Sequence, residues 1–240
     1  MKIEYVIVST DDNPLYSEFW EPVKNLWFNL VGIKPLLVKI SDNDDVVEYD
    51  DSIIHNFKKI DGINTGLQSQ IARMYVTKYY QNNVCLTSDI DMLPLSKNYF
   101  VKDIETVDND NLVIFSSDAY QGVVRYPICY NAAKGSVFNH IMKFEDTFEE
   151  YCIKLNNMGL GWDTDELHFG KMVDSYENQS IITKLNRGWE YGRAKKRIDR
   201  VHWLYDIDKL KSHNYIDSHS LRPYYKYKNE IDKLINLILK

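Results

Sequence analysis

Two aspartates one residue apart, Asp89 and Asp91, close the apolar run Val84-Cys85-Leu86-Thr87-Ser88, which has the composition of a buried strand. Side chains at i and i+2 of a strand point the same way, so both carboxylates are expected on one side of a strand end. There they repel each other unless positive charge stands between them. A divalent cation meets that need, because hard cations take carboxylate oxygens and keep positions open for phosphate. The chemistry this predicts is a metal–diphosphate site. Two solvated loop acids are the competing reading, since D-x-D is a common pattern.

The elements needed to position such a site alternate between strand and helix. Ile3 to Ser9 reads as a first strand, ending in the polar turn Ser9-Thr10-Asp11-Asp12-Asn13-Pro14, where Pro14 suits a first helical turn. Leu15, Phe19, Val23, Leu26 and Leu30 predict an amphipathic helix to Val31; Gly32 stops it, and Lys34 to Ile40 forms a second strand. Strand–helix–strand predicts a parallel pair with a right-handed crossover. Ile53 to Ile60 has no decisive period. Gln68 to Tyr80 predicts a helix, Leu112 to Ser116 and Ile128 to Ala132 two strands, and Ser136 to Leu155 one long helix. A glycine-bracketed segment from Gly159 precedes a shorter helix through Val173, and Ile181 to Leu185 is a last strand. The final helix, ending at Lys240, carries Ile231, Leu234, Ile235 and Ile238 on one face, which docks on the domain or meets a partner or membrane surface. The pattern is α/β with one core, and open sheets of this class bind ligands at the carboxyl ends of their strands.

A chain of 240 residues is long enough for a substantial core in one domain. The net charge, 29 − 35 = −6, argues against a general nucleic-acid binder. Ser41 to Asp51 reads as a solvated acidic loop. Lys184 to Arg200, with seven Lys or Arg, reads as a basic surface, with an anionic ligand or membrane face as the alternative. Cys85, Cys129 and Cys152 are odd in number and lack metal-ligand spacing, so buried reduced thiols in a reducing compartment are expected. Glu4 inside the first apolar run argues against a signal peptide. No stretch approaches the ~20 apolar residues of a membrane span, and a cytoplasmic location is the expectation.

Arg73 to Leu95, through Asn82-Asn83-Val84-Cys85-Leu86-Thr87-Ser88-Asp89-Ile90-Asp91, resembles the donor half of GT-A-fold glycosyltransferases. In that family a helix bearing an Arg leads through a short break into a strand ending in D-x-D. Ser9-Thr10-Asp11 is similar to the segment that holds the nucleoside. Cys129-Tyr130-Asn131-Ala132-Ala133-Lys134-Gly135 resembles the acceptor-side F-N-A-G strand, with Ala133-Lys134 in place of the first Gly. Asp163-Thr164-Asp165-Glu166-Leu167 resembles the D-Q-D-x-L segment facing the acceptor, with Thr164 in place of Gln. The resemblance spans residues 3 to 225, is most specific around D-x-D, and extends to the small glycosyltransferases of large DNA viruses.

The resemblance implies a Rossmann-type mixed, mostly parallel central sheet flanked by helices in a single GT-A-like domain. Residues 1–120 would form the donor half, 121–215 the acceptor half, and 216–240 a tail and helix closing on or docking to the donor site. It implies transfer of a sugar from a nucleoside-diphosphate sugar, UDP-sugar first, to a hydroxyl of a glycan or other acceptor, with Mn2+ or Mg2+. Asp91 is then a direct metal ligand, and Asp89 binds metal or ribose. His219 or His202 supplies a nitrogen ligand, which favours Mn2+. His219 is preferred, because Arg222 three residues on can reach the same diphosphate. Thr10, Asp11, Arg73, Ser88, Asp89 and Arg222 are the expected donor contacts. Asp165, then Asp163, with Glu166 beside them, are the acceptor-side candidates: a general base if the reaction inverts, hydroxyl-positioning groups if it retains. Helix N-capping is the other reading of Asp163 and Thr164, and Trp162 either stacks on a sugar or joins the core. A sugar nucleotidyltransferase is one alternative, but Thr10-Asp11-Asp12-Asn13-Pro14 lacks the expected Gly-rich, Arg-containing loop. Another metal-dependent phosphate enzyme, or a catalytically silent nucleotide- or glycan-binding module, are the others.

Overall fold

The computed structural model describes residues 1–190 and 193–239. The chain begins with β1 (Tyr5–Thr10), α1 (Pro14–Ser17) and α2 (Trp20–Asn25), which continues as a π-helical turn to Val31. β2 (Lys34–Ser41), β3 (Val46–Glu48), β4 (Ile53–Lys58) and α3 (Thr65–Tyr75) follow. After β5 (Val84–Thr87) and β6 (Met92–Pro94) come β7 (Leu112–Ile114), β8 (Asn131–Lys134), α4 (Gly135–Met142), α5 (Phe148–Asn156) and α6 (Thr164–Asp174). The last third holds β9 (Ile182–Lys184), β10 (Trp189–Glu190), β11 (Arg193–Ala194), β12 (Arg197–Asp199), α7 (Ile207–Lys211), β13 (Asp217–His219) and α8 (Tyr224–Ile238).

Eight strands form the central sheet in the order β3-β4-β2-β1-β5-β8-β7-β9. The joins β4–β2, β2–β1, β1–β5 and β7–β9 are parallel, whereas β3 and β8 run against their neighbours. Strict alternation splits the apolar residues between two faces. Val6, Val8, Leu37, Val84 and Leu86 face a core with α2 and α8, whereas Ile7, Leu36, Val38 and Cys85 face one with α3, α4, α5 and α6. Burial on both faces explains why these strands read as unbroken apolar runs. The three cysteines are buried and unpaired.

Local chemistry accounts for the departures from the expected elements. The helix expected over Leu15 to Val31 is broken between α1 and α2, because Pro22 lacks an N–H and its ring opposes a continuous turn at Glu18. Gly32, at φ 83°, ends the π turn by donating its N–H to the Trp27 carbonyl. The long helix expected over Ser136 to Leu155 is two helices. Lys143 turns left-handed at φ 55°, and a Thr147–Glu150 capping box restarts the chain as α5. The strand expected from Ile128 begins at Asn131, whose side-chain amide donates to the Pro127 and Ile128 carbonyls and holds them in a loop. Ile53–Lys58, ambiguous in sequence, is a strand.

The tail is built into the fold. β13 is the middle strand of a second sheet, β12-β13-β6, and Asp217, Ser218 and Ser220 are fully buried. Ile231, Leu234, Ile235 and Ile238 of α8 are buried against the domain, so the membrane-facing reading of that helix is corrected to docking. Among the described residues no helix is long and apolar enough to cross a membrane.

Candidate active site

β5 ends at Thr87, so Asp89-Ile90-Asp91 is not strand but the turn into β6. Ile90 is packed into the core and pegs this turn, while the acids on either side diverge. The expectation of two carboxylates on one strand face is therefore corrected. Asp89 Oδ1 accepts from Arg73 Nη1, which also donates to the Ser88 carbonyl at 3.2 Å. Arg73 is only 7% exposed, and its other end, Nη2, donates to Asp165 Oδ2 at 3.0 Å. One buried guanidinium thus joins the D-x-D turn to the first turn of α6. Burial pushes the Asp89 carboxyl up, but Arg73 outweighs it and holds the group below its ordinary value. Asp165 is shifted the other way: burial, reinforced by Asp89, outweighs Arg73 and raises its carboxyl.

Asp91 faces the second sheet. β6 pairs with β13 so that Met92 stands opposite His219, and the Ser220 N–H donates to the Asp91 carbonyl at 2.9 Å. β12 lies parallel to β13 with Asp199 opposite His219, which delivers the next residue, Arg200, to the same place. Asp91 Oδ2 accepts from Arg200 Nη2 at 2.8 Å, with Arg222 Nε at 3.5 Å and His219 Nε2 at 3.7 Å. Burial lowers the His219 imidazole below its ordinary value, against the pull of Asp91, which favours the neutral ring that ligates metals. The 3.7 Å gap is too long for a hydrogen bond, so the imidazole and the carboxylate are neighbours that are not bonded to each other. Two carboxylates and a neutral imidazole are a donor set that Mn2+ or Mg2+ accepts, and the residues fit such an ion in kind. Asp91 and His219 are the pair in position. Asp89 stays on Arg73, and among the described residues no three His, Cys, Asp or Glu side chains form a ready-made ion cluster.

The second sheet is anchored by a buried ion network. Asp217 receives Arg187 at 2.6 and 2.7 Å, Arg197 at 2.9 Å twice, and the Tyr130 hydroxyl at 3.1 Å. Although burial opposes ionisation, the two guanidinium groups hold the Asp217 carboxyl far below the carboxylate range. The basic run Lys184 to Arg200 is thus not simply a solvated surface; three of its arginines are spent on Asp217 and Asp91.

At the start of α6, Asp163 does not cap the helix through its side chain. Both its oxygens receive Arg125, at 2.8 and 2.9 Å, and Arg125 Nε donates to Glu166 at 2.6 Å. The Tyr120 ring lies under this guanidinium, 4.1 Å from ring centre to Cζ, and its hydroxyl donates to Glu166 at 3.0 Å. Gly170 permits the arrangement: a Cβ there would meet the Val124 carbonyl at 2.7 Å and the Arg125 Cα at 2.8 Å. Trp162 is 66% exposed at the rim, so the core reading of it is corrected.

These groups surround one cavity of about 530 Å3, a usual size for a small-ligand site. Thr10, Asp11, Arg73, Asp89, Asp91, Asp163, Asp165, Glu166, His219 and Arg222 all line it. Asp11 is fixed by the Thr65 hydroxyl at 2.7 Å. Two expectations fail the geometry. Ser88 is buried behind the turn and outside the lining, and His202 is exposed and also outside it. Sequence reasoning missed Tyr16, Tyr120, Arg125 and Arg200; the only available signal was Arg200 standing two residues before His202 in the segment already suspected.

No protein-family model matches the sequence, and no curated protein matches it. Solved structures do. The galactosyltransferase LgtC, in complex with donor and acceptor sugar analogs, is similar with a TM-score of 0.55 and 10% identity over 98% of this chain and 95% of that one. The bifunctional glycosyltransferase WbbM matches at 0.51 and 12% over 98% of this chain and 50% of its own. GlyE of Streptococcus pneumoniae TIGR4, in its apo form, matches at 0.50 and 11% over 98% of this chain and 63% of that one. The likeness is one of fold: the chain has the GT-A architecture of LgtC over nearly its whole length.

Proposed function

We propose that the protein is a metal-dependent glycosyltransferase that moves a sugar from a nucleoside-diphosphate sugar, UDP-sugar first, to a hydroxyl of a glycan or other acceptor. The observation that carries this reading is the convergence of Asp89, Asp91, His219 and Arg222 with Asp163, Asp165 and Glu166 on one cavity at the carboxyl ends of β1 and β5. Thr10 and Asp11 receive the nucleoside, with Asp11 oriented by Thr65. Asp91 and His219, joined by Asp89 once it is released from Arg73, would hold Mn2+ or Mg2+, which would supply Lewis-acid neutralisation of the departing diphosphate. Arg222 adds a guanidinium on the same side, and the Tyr16 ring, 4.9 Å from it, steadies it. Asp165, raised by burial, is the acceptor-side group best suited to take a proton, while Asp163 and Glu166, once exchanged from Arg125, contact sugar hydroxyls.

Titration of UDP and GDP with and without Mn2+, read by calorimetry or thermal shift, tests the reading. Stabilisation that requires the metal is expected, and Asp91→Ala should remove the metal-dependent part. Absence of any metal-dependent nucleoside-diphosphate binding would overturn it.

A further inference from the structure

The Arg200 guanidinium is only partly paired at the site. Its Nη2 donates to Asp91 at 2.8 Å, but Nε and Nη1 are withdrawn from solvent and have no hydrogen-bond partner among the described residues. Its neighbours are treated differently by the fold. Arg197, three residues earlier, spends Nε and Nη2 on Asp217, which also takes both terminal nitrogens of Arg187. A planar guanidinium is built for two parallel bonds to one anion, and buried donors left unpaired are costly. The pose of Arg200 on Asp91 is therefore half made. It also places a cation on an oxygen that Arg222, at 3.5 Å, already approaches, so two guanidinium groups share one carboxylate at the edge of the cavity. That surplus of positive charge suits a ligand with several anionic oxygens.

We propose that Arg200 is a second diphosphate-binding residue that exchanges partners. In the free protein it neutralises Asp91; with donor present it leaves Asp91 and presents the fork of Nη2 and one of its two unpaired nitrogens to the diphosphate oxygens. This rests on the donor-binding reading above and adds a consequence that reading lacks: Arg200 and a divalent cation compete for Asp91. Removing the guanidinium must then move two affinities in opposite directions.

The test uses the full chain with Mn2+ alone, and with UDP at saturating Mn2+, both by calorimetry. In Arg200→Gln, Mn2+ alone should bind several-fold tighter, because Asp91 is released, whereas UDP at saturating Mn2+ should bind about tenfold more weakly, as for the loss of one charge-assisted contact. Arg200→Lys should keep Mn2+ affinity near wild type and bind UDP at saturating Mn2+ with intermediate strength, a point charge replacing the fork. A variant that is merely misfolded weakens both ligands together. Unchanged UDP affinity in Arg200→Gln, weakening of both ligands, or failure of both variants to fold would each overturn the proposal and leave Arg200 a structural counter-charge. If wild type binds UDP with Mn2+ but Arg200→Gln does not differ, only this inference falls; if wild type binds no nucleoside diphosphate at all, the donor reading falls and this one with it.

Discussion

Arg73 sets the electrostatics of the cavity. It is a single positive charge shared by Asp89 and Asp165, and the two carboxylates respond in opposite directions, one held down and one raised. Groups driven apart in this way are suited to different tasks. If Asp165 must be ionised to accept a proton, activity is lost as pH falls through its raised value. The acid limb of kcat/KM should therefore lie above the ordinary value of an aspartate, and Asp165→Asn should abolish that limb along with about a hundredfold or more of the rate. A pH–rate profile checks this, and an acid limb unchanged in Asp165→Asn would count against the role. The acid pair was legible because D-x-D is a local pattern, and His219 with Arg222 because they are neighbours in sequence. Arg200 and Arg125 were not: the Arg200–Asp91 pair spans 109 residues, and composition does not distinguish a paired arginine from a solvated one. The orientation of the pair was misread for a physical reason. The strand ends at Thr87, and the packing of Ile90 rather than strand alternation sets where the acids point.

At the scale of elements, the second sheet does the positioning. Pairing of β6 with β13 and of β13 with β12 brings Asp91, His219 and Arg200 together, and the Asp217 network locks that register. The folded value of Asp217 lies far below 3.8, its ordinary one, so the folded state binds fewer protons than the unfolded state between the two. Its contribution to stability is thus complete above the ordinary value and is lost as pH falls through the folded one. Asp217→Asn leaves two buried guanidinium groups without their anion and should cost about 3–5 kcal/mol at neutral pH. Urea melts should show the gap to wild type narrowing in acid, near pH 3 and below. A gap independent of pH would mean that the charge is not what matters. The parallel β1–β2 pair was readable from its strand–helix–strand period. The β12-β13-β6 sheet was not, because strands of three residues are too short to carry a period.

For the whole molecule, one sheet buried on both faces fixes the cavity at its carboxyl edge, and α8 completes one of the two cores. Leu234 is fully buried there, so Leu234→Ala should cost about 2–5 kcal/mol without altering nucleotide affinity in the protein that remains folded. Denaturant melts paired with UDP titrations read both quantities. Loss of affinity without loss of stability would show that α8 acts on the site directly. The architecture is shared with LgtC at 10% identity, so the fold alone does not decide turnover. The most direct measurement is release of nucleoside diphosphate from a panel of UDP- and GDP-sugars by the purified chain with Mn2+. Slow hydrolysis of at least one donor is predicted, abolished by chelation and reduced about a hundredfold or more in Asp91→Ala. Tight nucleotide binding with no donor turned over, in the presence of candidate acceptors as well as water, would contradict the assignment as an enzyme and leave a binding module.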